Sequence, residues 1–130
     1  MAPTPQSATP RAVPRGNSAA TLSKAVLRAA RLLEIPQALL AEILGLSEAT
    51  VSRMSKDRYV LRQDKKEWQF ALLFVRLFRS LDALLGHDEQ ARAWLRGFNT
   101  ALSTSPIELL TTPEGLVRVV NYLDAYRARI

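Results

Sequence analysis

The segment Gln37-Ala-Leu-Leu-Ala-Glu-Ile-Leu-Gly-Leu-Ser-Glu-Ala-Thr-Val-Ser-Arg-Met-Ser-Lys56 constrains the fold more than any other part of the chain. It reads as two short helices, at about 36–44 and 48–56, folded sharply against each other. Ala41 stands in the middle of the first, where a larger side chain would push the second helix away. Gly45 follows where the chain must leave the helix, and glycine enters φ > 0 at least cost. Ser47 is placed to accept from the free amides of the next helix as its N-cap. Val51 is that helix's inward knob, and Leu40, Leu44, Leu46 and Met54 complete the apolar seam. A small residue, then glycine, then a β-branched residue, at offsets of four and six, is the pattern of a helix-turn-helix.

The residues left facing outward are Ser47, Glu48, Ala49, Ser52, Arg53 and Lys56. Short polar groups, one methyl and two cations make a face that fits a DNA major groove, about 12 Å wide. Arg53 is the candidate for reading guanine, since its fork reaches O6 and N7 together. Ser47, Thr50 and Gln37 are candidates for holding phosphates and setting the register, and Glu48 for accepting from cytosine N4. One such domain has a small interface, so two-fold pairing on an inverted repeat is expected. The bland alternative is an αα-hairpin with a polar outer face.

Composition narrows the function classes. The 130 residues include no cysteine, which excludes a disulfide framework and a Cys-based metal site, and one histidine, His87, cannot make a metal centre alone. There is no glycine-rich phosphate loop and no histidine-bearing acid/base constellation, so no catalytic residue and no cofactor is assigned, and the chain does not read as an enzyme. No run approaches the roughly 18 apolar residues needed to span a bilayer, and a secretory signal's apolar core is missing, so the expected location is cytoplasmic. Residues 1–60 carry eight Lys/Arg against four Asp/Glu, and residues 61–130 carry ten against eight. The cationic excess therefore lies on the half with the helix-turn-helix, as phosphate contact requires, although extra arginines also serve solubility.

The pattern predicts an all-α chain in three parts: a disordered Pro-rich tail over 1–17, a helix-turn-helix domain over 18–62 and a small helical domain over 63–130. In the tail, Pro3, Pro5, Pro10 and Pro14 deny regular hydrogen bonding, while Arg11 and Arg15 are able to touch phosphate. Leu22, Ala25, Val26, Ala29, Leu32 and Leu33 then line one helical stripe that Ile35-Pro36 breaks. After a polar connection at 57–65, a helix from about Lys66 to Leu85 ends at Gly86. It is apolar around most of its girth, so either a second subunit or helices of the same chain must cover it. His87-Asp88-Glu89 opens a short helix that runs through about Arg96, with Asp88 as its cap. Ser105-Pro106-Ile107-Glu108 reads as a capping box opening a very short helix, and Thr111-Thr112-Pro113-Glu114 starts the last one.

Trp94-Leu95, Phe98-Asn99-Thr100-Ala101-Leu102, Ser105 to Leu110, Thr112-Pro113-Glu114-Gly115 and the valine-rich Val117 to Leu123 together resemble the C-terminal signature of the Xre/MbcA/ParS antitoxins, which join an Xre-type helix-turn-helix to a toxin-binding domain. The likeness covers roughly residues 20–130, and Ser103-Thr104 stands where that family commonly has glycine. The resemblance implies a type II antitoxin that represses its own operon and blocks the active site of a cognate RES-domain toxin that depletes NAD, and it implies a homodimer. For toxin binding the tail offers Tyr122, Tyr126, Arg127, Arg129 and the Ile130 carboxylate, since an inserted arginine suits a pocket built for pyrophosphate. A solvated helix end whose cations favour the dipole is the alternative. The rival for the whole chain is a stand-alone helix-turn-helix repressor with a C-terminal dimerisation domain.

Overall fold

The computed structural model describes residues 4–129 apart from His87, with side chains from Ser18 onward. Helix α1 spans Thr4–Leu32, α2 Gln37–Leu44, α3 Glu48–Ser55, α4 Lys66–Leu85, α5 Asp88–Arg96 and α6 Pro113–Arg127, with a single 3₁₀ turn at Pro106–Leu109. Among the described residues the architecture is all-α, and the sole extended pairing is one bridge between Asn99 and Thr104. None of these helices is long and apolar enough to cross a membrane.

The first helix begins earlier than the stripe at Ser18 suggests. Met1 to Pro3 of the expected tail lie outside the described residues, and from Thr4 the backbone is helical. Pro5 falls in the first turn, where a missing amide costs nothing, whereas Pro10 and Pro14 each remove one i→i−4 bond. The half of α1 before Ser18 is thus held by fewer backbone bonds than the half after it. Beyond Ser18, Leu22, Val26, Ala29, Ala30 and Leu33 are buried.

The end of α1 is a left-handed cap made without glycine. Glu34 has φ 55, its N–H donates to the Arg31 carbonyl at 3.1 Å, and the Ile35 N–H donates to the Ala30 carbonyl at 2.8 Å. Two arginines of α5 brace this cap: Arg92 donates to the Leu32 carbonyl (2.9 Å) and Arg96 to the Glu34 carbonyl (2.8 Å). Guanidinium groups at the negative end of a helix stabilise it and here dock α5 on α1.

Helix α4 is the spine. It packs against α1, α2, α5 and α6, which bury Ala71, Phe74, Val75, Leu77 and Leu81. Helices of the same chain therefore cover most of its apolar girth. The chief remainder is a groove of about 970 Å³ between α1 and α4, with Leu22, Ala25, Trp68 and Leu72 in its wall and Arg76, Arg79 and Arg127 among its lining.

Two C-terminal turns follow different chemistry from each other. Thr112 caps α6 as expected, accepting from the Gly115 N–H at 3.1 Å. The capping box at Ser105 does not form: its hydroxyl makes no cap bond and instead donates to the Arg96 carbonyl at 3.1 Å. The reason is the 3₁₀ geometry, in which the Glu108 N–H already donates to the Ser105 carbonyl (3.0 Å) and leaves no amide for the side chain. Ser103, the departure from the usual glycine, has φ 64, so a serine occupies a conformation suited to glycine.

Candidate functional site

Helix α2 and helix α3 meet as the sequence pattern requires. Gly45 sits at φ 74 and closes α2, with the Leu46 N–H donating to the Ala41 carbonyl at 2.9 Å. A Cβ there would meet the Phe70 ring at an ordinary 3.5 Å, so the need for glycine comes from φ and not from space. Leu40, Ala41, Leu44, Val51 and Met54 are buried at the seam, and Leu46 is half-buried.

That seam turns Ser47, Glu48, Ala49, Arg53 and Lys56 outward as exposed residues, with Thr50 and Ser52 half-buried. The Ser47 hydroxyl accepts from the Thr50 N–H (3.1 Å) and shares a hydrogen bond with the Thr50 hydroxyl (2.9 Å). Arg53 donates from Nη2 to Thr50 Oγ1 at 3.0 Å. The arginine is thereby held along the surface of α3 before any nucleic acid arrives. Gln37 donates to the Ser55 hydroxyl at 3.3 Å, and Ser55 donates to the Ser52 carbonyl at 2.6 Å, tying the start of α2 to the end of α3. All eight residues expected at a DNA face therefore share one pair of helices, and Ser55 joins them as a partner of Gln37.

The tail residues expected on a toxin-binding surface divide between two faces of α6. Tyr122 stacks on Trp94 with ring centres 6.2 Å apart, and Tyr126 meets Tyr122 edge-on at 5.0 Å. The Arg129 guanidinium lies over the Tyr126 ring, 5.3 Å from its centre, in a cation–π contact. The two phenols share a hydrogen bond at 3.3 Å, and this contact with Tyr122 holds the Tyr126 phenol above its ordinary pKa. Arg127 points the other way. It donates to the buried Ser80 hydroxyl at 3.1 Å and lines the groove beside Arg76, which pairs with Asp124. Ile130 lies outside the described residues.

Trp94 and Leu85 line two adjoining recesses, one shared with Tyr122 and Tyr126 and the other with Phe98. Phe98 is 73 % exposed and Tyr126 43 % exposed. Trp94 thus links Phe98 to the Tyr122–Tyr126 pair, and the four rings line one aromatic stretch of surface that is partly open to solvent. Tail-based reasoning missed Trp94 and Phe98. The signal was present in their motif, but spacing alone does not tell an exposed aromatic from a core one.

Two family models match the chain. The antitoxin Xre-like helix-turn-helix domain matches residues 12–76, and the antitoxin Xre/MbcA/ParS C-terminal toxin-binding domain matches residues 80–129. The chain belongs to the Xre/MbcA/ParS-type antitoxins. Curated proteins gave no match. The two matched regions meet inside α4, so the spine of this antitoxin is common to its DNA-binding and its toxin-binding unit. The aromatic surface falls wholly within the toxin-binding match, and the α2–α3 face wholly within the helix-turn-helix match. No group of metal-ligating side chains occurs among the described residues.

Proposed function

We propose that this type II antitoxin neutralises a RES-type toxin that depletes NAD by covering its active site, and that it represses its own operon as a homodimer on an inverted repeat. The observation that carries the toxin half is the exposed aromatic surface ending in Arg129, inside the toxin-binding match. Rings and a guanidinium are the groups that complement a nucleotide-binding cleft, since they stack on bases and pair with pyrophosphate. Two-fold binding follows from size, because one helix-turn-helix offers too little interface for tight specific binding.

The test is co-expression with the product of a neighbouring RES-domain reading frame, with growth and cellular NAD as readouts. Tyr126→Ala with Arg129→Ala is the informative variant, because it spares Asp124 and Arg127, which bond to α4. Wild type is expected to preserve NAD and growth, and the double variant to lose both while keeping its helical circular dichroism. Full protection by the double variant would remove the tail from the mechanism. A locus without any such neighbour would leave the rival, a stand-alone repressor.

A further inference from the structure

The connection between α3 and α4 reads in sequence as merely polar, yet it is built as a fixed strip. Asp57, at φ 60, ends α3 in a left-handed turn, and the Arg58 N–H donates back to the Arg53 carbonyl at 2.8 Å. From there the side chains alternate: Tyr59 and Leu61 face inward, Arg58, Val60 and Arg62 outward. Leu61 is buried and its N–H donates to the Ser23 hydroxyl at 2.9 Å. Glu67, buried in the first turn of α4, accepts from the Tyr59 hydroxyl (2.5 Å) and from the Arg62 N–H (2.8 Å) through the same carboxylate oxygen. Three anchors from two helices thus hold a strip of six residues.

We propose that this strip is a second, pre-formed DNA-contacting element, in which Arg58 and Arg62 bind backbone phosphates flanking the groove that α3 enters. The proposal rests on the DNA-binding reading of α3 and extends the footprint beyond it.

Charge placement supports it. Residues 56–66 carry five cations, Lys56, Arg58, Arg62, Lys65 and Lys66, against Asp57 and Asp64, and all seven are exposed. The stretch's next carboxylate, Glu67, faces inward and is consumed by the anchors. Arg62 meets Asp64 at 3.5 Å, but both side chains are more than half exposed, and such a pair yields readily to a phosphate. Lys65 and Lys66 stand at the positive end of α4, where cations are unfavourable for the helix, so helix stability does not account for them. Proximity to the reading helix follows from the backbone, since the Arg58 N–H donates to the carbonyl of Arg53 on α3 at 2.8 Å. The strip therefore continues from the end of α3, and its fixed backbone lowers the ordering cost of each phosphate contact.

The experiment measures the salt dependence of binding to a mixed-sequence 30-base-pair duplex, between about 50 and 200 mM salt. It compares wild type with Arg58→Ala/Arg62→Ala and with Arg79→Ala/Arg118→Ala, two exposed cations elsewhere that remove the same net charge. Each lost phosphate contact lowers the log–log slope by about 0.9, so the strip variant is expected to be shallower by about 1.8 and to lose roughly 12-fold less affinity across that range. The control variant is expected to keep the wild-type slope. An unchanged slope in the strip variant overturns the proposal while leaving the helix-turn-helix reading intact. Equal slope changes in both variants overturn it in favour of bulk charge. Absence of measurable wild-type binding overturns the DNA reading itself, and the strip with it.

Discussion

Gly115 packs against the Leu109 carbonyl so closely that an added Cβ would lie 1.9 Å from that oxygen. The neighbouring atoms are backbone and the capping Thr112 hydroxyl at 2.9 Å, none of which swings aside cheaply. The glycine is therefore a packing requirement that lets the 3₁₀ turn lean on the first turn of α6. Gly115→Ala is expected to destabilise the protein by about 2–4 kcal/mol, a large loss for a single methyl. Thermal unfolding followed by circular dichroism would show a drop of roughly 10 °C or more. A midpoint within 2 °C of wild type would mean the junction yields freely.

Arg53 and Thr50 form one unit on the reading face, joined at 3.0 Å. Arg53→Ala is expected to leave the fold unchanged, because the side chain is exposed, and to relax sequence preference on the antitoxin's own promoter. Loss of one bidentate base contact corresponds to about 1–3 kcal/mol of discrimination. Competition between promoter and mixed-sequence DNA at fixed salt reads this directly. A specificity ratio equal to wild type would assign Arg53 to phosphate or to solvent.

The fold was legible in the sequence wherever the deciding chemistry sits in one side chain. Gly45 and Gly86 end their helices at φ 74 and 73, and Ser47 and Thr112 cap theirs. Glu34 and Asp57 make equivalent left-handed turns without glycine, and only contacts from distant residues, such as Arg96 on the Glu34 carbonyl, reveal why. Ser105 misled because its hydroxyl bonds nine residues back along the chain and not three ahead. In the tail, one helical step of about 100° separates Tyr126 from Arg127. That step decides which of them joins the aromatic surface and which lines the groove, and residue type says nothing about it.

Ser103 offers a stabilising change. Its φ of 64 places a Cβ in the left-handed region, while the turn itself is held by Asn99, which accepts from the Leu102 and Ser103 N–H groups. Ser103→Gly is expected to raise stability by about 0.5–1 kcal/mol, the relief of strain exceeding the entropy that glycine adds to the unfolded chain. Denaturant unfolding with an unchanged slope would report it as a shifted midpoint. A lower midpoint would show that the serine side chain holds the turn.

Tyr59 gives the connection after α3 a dependence on alkaline pH. Its phenol is pushed up from 10.0 to about 12 by burial first, then by the hydrogen bond to Glu67 and that carboxylate's charge, with Arg62 and Arg53 pulling the other way. The neutral phenol is the donor, so the folded protein holds this proton more tightly than the unfolded chain does. The resulting stability is fully present below pH 10 and is lost as pH rises through about 12. Tyr59→Phe removes a hydrogen bond to a charged group and is expected to cost about 1–3 kcal/mol near pH 8. The gap between wild type and variant should then narrow steadily from pH 10 upward, because the phenol loses its proton first in the unfolded chain, which favours unfolding, while the phenylalanine does not change. Urea unfolding at several pH values measures that gap. A gap that stays constant to pH 12 would remove the Tyr59–Glu67 bond from the anchoring of the strip.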